Sequence, residues 1–358
     1  MADLAIRADL KLATLTLAAV DAATAAAAED GLRPHLGASL IGRACDRALW
    51  YGWRWASAAA HEPRVLRLFK RGQDEEQRFG DLLRAAGITV HLVNPATGRQ
   101  FSFAGVGGHF GGSMDGACVG VHDAPKTWHC LEFKTASAKM FNDLAAKGVQ
   151  ASKPEHWAQM QCYMAWAGLE RALYCAVCKD DDRLHLERVD FDRESADALF
   201  ARAERIITAP TPPDGISTDP AWYECRWCDH RELCHGQAAP LPTCRSCSHA
   251  TAEMDGAGTW TCARHSGKTL STADQKAGCQ AHRYIPILLK NIAEPVDASD
   301  KDNWVKYRLK EDGAEFVNGT PPAGFESTEI HASQHKTMLA DPQVKEIRKA
   351  WQRARVTA

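Results

Sequence analysis

No run of apolar residues in this chain approaches the length needed to cross a membrane, so neither a spanning class nor a membrane partner is expected. An excess of one charge is missing too. The 43 Lys and Arg stand against 45 Asp and Glu for a net charge of −2, so global charge draws the chain to neither nucleic acid nor a lipid surface. Any polyanion would have to be met by a local basic groove. The first residues place Asp3, Arg7, Asp9 and Lys11 inside an apolar pattern, which is not a secretory leader, and the cytoplasm is the expected compartment. The disulfide framework of a small secreted domain is also absent. There are 13 cysteines in 358 residues, but most fall in CxxC-like spacings that suit metal better than cross-links.

What is present is concentrated between Gly108 and Tyr163, which read GHFGGSMDG (108–116), LEFKT (131–135) and QMQCY (159–163). Turn chemistry at Asp123-Ala-Pro-Lys126 separates two extended stretches, which puts Asp115 and the Glu132-x-Lys134 pair on adjacent strands. Side chains two apart on a strand share a face, so Glu132 and Lys134 point one way and Phe133 into the core. Asp115, Glu132 and the carbonyl of Phe133 form an oxygen set suited to Mg²⁺ or Mn²⁺. A lysine beside such a cation can hold or deprotonate an attacking water and offset charge on a phosphate. A helix should then open at Ser152-Lys-Pro-Glu155 as a capping box, with Gln159 and Tyr163 four apart on one face.

GSMDG, LEFKT and the Q-x₃-Y helix together resemble the PD-(D/E)XK nuclease superfamily in its RecB-like branch, over roughly residues 35–236. The resemblance implies that Asp115 and Glu132 bind metal, that Lys134 is the catalytic lysine, and that Gln159 and Tyr163 line the site and contact DNA. It also implies a restriction-endonuclease-like α/β core, a mixed central sheet flanked by helices in the order αβββαβ. Residues 62–87 read as an amphipathic helix with Val65, Leu66, Leu68, Phe69, Phe79, Leu82 and Leu83 on its apolar side. Its Arg71-Gly72-x-x-x-Glu76 pattern is similar to the first-helix motif of phage-type exonucleases, which makes Glu76 a further candidate at the metal. The histidine of the RecB pattern is replaced near this point by Gln73.

Cysteines supply the second theme. A linker-like bend at 210–220 is followed by Cys225-x₂-Cys228-x₅-Cys234, three thiols on a compact turn. Zinc would take a fourth ligand nearby, from His230 or His235. The iron–sulfur members of the resembled branch instead place the fourth cysteine far upstream, and Cys45, on a helix expected to begin at Ser39, matches that position. The resemblance therefore implies a structural [4Fe–4S] cluster on Cys45, Cys225, Cys228 and Cys234. A second set, Cys244-x₂-Cys247, Cys262 and Cys279, reads as a small zinc-ribbon-like module with a Zn²⁺ site, expected to be separable from the core; spacing does not fix the metal, and a second cluster stays open as the alternative. Cys118, Cys130, Cys162, Cys175 and Cys178 share no spacing and read as core packing, as does His109.

Four segments follow from this reading. Residues 1–34 are a helical extension, 35–238 the nuclease-like core with its clasp, 239–292 the cysteine-rich module, and 293–358 a C-terminal hairpin (with Gly313 near its turn) and a basic helix over 341–356. An acidic linker spans 297–302. The functional expectation is a Mg²⁺- or Mn²⁺-dependent DNA exonuclease of phage recombination or end processing, with DNA and a recombination or single-strand-annealing protein as partners. Two alternatives stay open, a DNA-trimming nuclease of the CRISPR-adaptation type and a non-catalytic DNA-binding scaffold.

Overall fold

The computed structural model describes residues 13–333, 336–344 and 346–348. A helix α1 (Thr14–Ala26), with no buried residue, precedes strand β1 (Leu36–Gly37), helix α2 (Asp46–Trp53) and the long helix α3 (Pro63–Ala85). Strands β2 (Thr89–His91), β3 (Phe101–Gly105), β4 (Phe110–Met114), β5 (Gly116–Val119) and β6 (His129–Ala136) follow. Helices α4 (Ala138–Ser152) and α5 (Pro154–Ala167) lead to β7 (Arg171–Cys178), β8 (Leu184–Asp190) and α6 (Arg193–Thr208). Beyond these lie short helices α7 (Tyr223–Arg226) and α8 (Arg231–Cys234), strands β9 (Ala250–Ala252), β10 (Trp260–Cys262) and β11 (Lys268–Thr269), and α9 (Thr272–Ala277). Strands β12 (Ala293–Ser299), β13 (Trp304–Leu309) and β14 (Glu315–Asn318) and helix α10 (Ser327–Ala332) complete the sequence of elements. Among the described residues no helix is long and apolar enough to cross a membrane.

The central sheet has the order β2-β5-β6-β7-β8 and is mixed, with β6 and β7 parallel and the other neighbours antiparallel. The β6–β7 crossover is made by α4 and α5, as a parallel pair requires. Period-two alternation sends Leu131 and Phe133 to the α3 side, where they pack with Phe79 and Leu83, and Cys130 to the α5 side with Met160 and Tyr163. All five cysteines read as packing are buried. The expected three-stranded catalytic sheet is divided. Strands β3 and β4 pair in a second sheet with β1, order β1-β4-β3, and the chain passes from that sheet into the central one at Asp115, between β4 and β5.

Several local expectations are corrected. The helix expected from Ser39 begins at Asp46, with Cys45 as its N-cap, because Leu36 and Ala38 instead donate backbone bonds to His109 and Gly111. No capping box opens α5. Ser152 ends α4, its hydroxyl donating to the Gly148 carbonyl at 2.7 Å, and Lys153 before proline is excluded from helical geometry. Helix α4 itself was not read from the sequence. Phe69 and Leu82 lie off the packed face of α3 and are exposed. The acidic linker overlaps β12, which adds a third strand to the expected hairpin. Most of the basic helix over 341–356 lies outside the described residues. Arg348, within it, donates to Glu329 at 3.0 Å and stacks on Phe325.

The cysteine-rich segment is not a separable knob. Trp260 is fully buried against Trp53 and His109, with ring centroids 5.2 and 5.8 Å apart, and Cys244, Cys247 and Cys262 belong to the same apolar cluster as α2 and α5. The apolar core thus continues across residue 239 into the cysteine-rich segment.

Candidate active site

Asp115 sits at the corner where the chain changes sheets, and the Phe133 amide donates to its Oδ2 at 2.8 Å. That single bond ties the β4–β5 corner to the middle of β6. Glu132 and Lys134 flank it on the other face of β6, where Lys134 Nζ donates to Glu132 Oε1 and, at 3.2 Å, to the Phe133 carbonyl. Glu132 is wholly buried, and its Oε2 has no hydrogen-bond partner among the described residues. A buried carboxylate oxygen without a partner is costly unless a cation satisfies it.

The fourth member comes from α3. The rings of Phe79 and Phe133 stack 5.1 Å apart, which fixes α3 over β6 and brings Glu76, one turn earlier, into the field of Asp115 and Lys134. Burial raises the pKa of Glu76, Asp115's charge raises it further, and Lys134 opposes both. Asp115 is raised by burial against Lys134 and the Phe133 amide. Glu132 is pushed up to about 8, first by burial and then by Asp115 and Glu76, with Lys134 pulling the other way. Burial alone would lower Lys134, but Glu132, Asp115 and Glu76 outweigh it and hold the ammonium charged. Three carboxyls crowded around one lysine, each favouring a proton, form a set that a divalent cation would relieve.

Helix α5 forms the wall behind. Gln159 Nε2 donates to the Tyr163 hydroxyl at 3.3 Å, and both residues are buried, so in this structure they back the carboxylates rather than offer a surface to DNA. Burial, and then the charges of Glu132 and Asp115, raise the pKa of Tyr163. Gly112 makes room for it, since a Cβ there would lie 2.7 Å from the Tyr163 oxygen. His156, one turn before Gln159, was missed by the sequence reading. It shares a hydrogen bond with the Tyr174 hydroxyl at 2.9 Å, and burial, then Lys134 and Lys153, depress its pKa to about 3. Its spacing of three from Gln159 was the available signal, but its partners Tyr174 and Lys134 lie on other elements. Gln73 is exposed on α3.

None of the 13 cysteines is in a disulfide. Cys45, Cys225, Cys228 and Cys234 line one cavity, formed by the start of α2 and the α7–α8 turns. The arrangement has support of its own. Arg202 on α6 donates to the Ile41 and Arg43 carbonyls at 2.7 and 2.6 Å, and Arg47 donates to Cys234 Sγ at 3.6 Å. His230 is committed to Ser57, 2.7 Å away. Cys244, Cys247, Cys262 and Cys279 line a second cavity. Among the described residues, no three His, Cys, Asp or Glu side chains stand at the mutual distances of one metal's ligands, so the fold supplies convergence of donors rather than a closed shell. His109 is buried and hydrogen-bonded to the Glu253 carbonyl at 2.8 Å, a packing role.

No protein-family model matches the chain, and no curated protein matches it. Solved structures with a similar arrangement include the protein SSO0001, at 14% identity and a TM-score of 0.36, covering 62% of this chain and 95% of that one. They also include the alkaline exonuclease LHK-Exo from Laribacter hongkongensis, at 17% identity and a TM-score of 0.36, covering 53% of this chain and 90% of its own. The same exonuclease in complex with dAMP matches at 18% identity and a TM-score of 0.34, covering 53% and 90%.

Proposed function

We propose that this protein is a divalent-metal-dependent nuclease that hydrolyses phosphodiester bonds in DNA, working as an exonuclease in end processing or recombination. The observation that carries the reading is the gathering of Asp115, Glu132, Glu76 and Lys134 at one corner, with a buried Glu132 oxygen left without a partner. The donor set is oxygen only, which fits Mg²⁺ or Mn²⁺ held by Asp115, Glu132 and the Phe133 carbonyl, with Glu76 as a further carboxylate. A cation bound there supplies Lewis-acid polarisation of the scissile phosphate and a lowered pKa for water.

The chain's own groups do the rest. The Phe133 amide fixes one Asp115 oxygen, so the β4–β5 corner cannot drift from β6 when substrate binds. Lys134, as a cation, donates to the attacking water and offsets the negative charge that builds on the non-bridging oxygens. Water oxygen bonds to phosphorus and gives one proton to solvent as the bond to the leaving sugar oxygen breaks, and that oxygen departs with a proton from solvent. Tyr163 and Gln159 hold the wall against which Glu132 is buried, and His156 stays neutral behind Lys134.

The cluster belongs to the same proposal. Four thiols lining one cavity, with Arg47 beside Cys234 and His230 engaged elsewhere, fit a [4Fe–4S] group held by Cys45, Cys225, Cys228 and Cys234. Such a group would clasp the start of the core to its end and take no part in the hydrolysis. The experiment for the activity is digestion of end-labelled single- and double-stranded DNA with Mg²⁺, Mn²⁺ or EDTA. Metal-dependent release of mononucleotides or short oligonucleotides from an end supports the reading. Intact DNA under every condition overturns it, and internal cuts without end dependence would replace exonuclease by endonuclease.

A further inference from the structure

We propose that Cys244, Cys247, Cys262 and Cys279 bind one structural Zn²⁺, and that this site is built into the wall of the nuclease-like core rather than appended to it. The four residues come from separate places. Cys244 opens a tight turn that ends at Cys247, whose amide donates to the Cys244 carbonyl at 3.1 Å; Cys262 closes β10; Cys279 follows α9. They line one cavity of about 140 Å³. Two of the three nearby histidines have one ring nitrogen engaged elsewhere, and His282 keeps a buried Nδ1 without a partner among the described residues. His249 bonds to the Asn303 side chain at 2.7 Å, and His282 donates to the Thr243 carbonyl at 2.9 Å. His265 remains, with Nε2 3.7 Å from Cys279 Sγ. An all-thiolate set from a CxxC turn and two further segments suits tetrahedral zinc, and binding would draw the four sulfurs together.

The coupling to the core is carried by two residues between the ligands. Arg245, next to Cys244, donates to the Trp53 carbonyl at 3.1 Å and the Pro34 carbonyl at 2.8 Å. Its guanidinium lies 3.8 Å from the centroid of Trp55 and 4.9 Å from that of Trp260. Trp260, two residues before Cys262, packs on Trp53 and on His109, the residue immediately before β4. Strand β4 runs directly to Asp115. Among the described residues the buried guanidinium of Arg245 is held by the Gln275 side chain at 2.8 Å and by the Trp53 and Pro34 carbonyls, so the turn that the metal would close carries it into the core.

The test uses the full chain and does not read nuclease activity, so it stands or falls apart from the function proposed above. Elemental analysis of the purified protein should give one zinc per chain besides any iron, and Co²⁺ exchanged for it should give the visible absorption of tetrahedral cobalt thiolate. Cys262→Ser should lose that zinc, and its thermal unfolding should shift as one cooperative transition. If this variant does not fold, the wild type decides, because zinc should protect four thiols from alkylation and a chelator should expose them. Arg245→Gln should keep the zinc yet lower the melting temperature of the whole chain. Absence of both zinc and a cobalt spectrum, zinc retained by Cys262→Ser, or iron in this site would overturn the metal assignment. A separate transition for the cysteine-rich segment, with the rest unchanged, would overturn the coupling.

Discussion

Glu132 has a wholly buried carboxyl, one oxygen bonded to Lys134 and the other without a partner, at a cost that packing alone does not repay. Glu132→Gln should therefore abolish binding of Mn²⁺ in calorimetry while leaving the circular dichroism spectrum and a cooperative melt intact, since Asp115 and Glu76 still face the lysine. Undiminished Mn²⁺ binding would remove Glu132 from the metal set. Gly112 makes a separate residue-scale claim. A Cβ would meet the Tyr163 hydroxyl at 2.7 Å and the Ala38 methyl at 3.3 Å, and Tyr163 is buried with no room to yield. Gly112→Ala should cost about 1–3 kcal/mol, measured by urea unfolding. The glycines of GHFGGSMDG thus record close approach, which a sequence can display without saying what approaches.

At the scale of elements, the site depends on two junctions, the β4–β5 corner and the α3–β6 contact. Phe79→Ala should cost about 3 kcal/mol and lower activity, because the stacked ring that sets the height of Glu76 over β6 is lost. Cys45→Ser should bleach the brown colour of anaerobically purified protein and destabilise α2, since it frees one end of a loop running to Cys225. A colourless, fully folded wild type carrying only zinc would return Cys45 to ordinary packing. The turn at Thr243–Cys247 carries a pH dependence. Burial, then Arg283 and His249, lower His282 to about 3 from an ordinary 6.5, against a raising contribution from the Thr243 carbonyl. The unfolded chain thus takes up a proton below pH 6.5 that the folded chain refuses. This stability is complete above that value and is lost at about 1.4 kcal/mol per pH unit as pH falls toward 3. Denaturant midpoints between pH 7.5 and 4.5 should show the slope, and His282→Gln should remove its share, leaving the part that His156 contributes by the same argument.

Across the whole molecule, the legible parts were those where one physical signal dominates. Strand β8 announces itself by alternation and β7 by a continuous apolar run, and Asp192 caps α6, accepting from the Ser195 amide. The D…ExK spacing placed Asp115 against β6 because strand geometry leaves few alternatives. What could not be read depends on contacts distant in sequence. Helix α4 is broken at Gly148 and resumes where Glu187 of β8 accepts from the Val149 amide at 2.9 Å. Arg245 and Trp260 lie in the cysteine-rich segment, while their partners Trp53 and His109 come from far earlier in the chain. His156 escaped for the same reason, since Tyr174 and Lys134 come from other strands.

The central claim is that hydrolysis is performed at the Asp115–Glu132–Lys134 corner, and one comparison tests it most directly. Wild type and Lys134→Ala, matched for folding by melting curve and for DNA binding in EDTA, are assayed on end-labelled duplex with Mg²⁺. Removing the lysine that pairs with the Glu132 carboxylate should lower the cleavage rate by several orders of magnitude with little change in DNA affinity. Cleavage by Lys134→Ala at the wild-type rate would place the chemistry elsewhere.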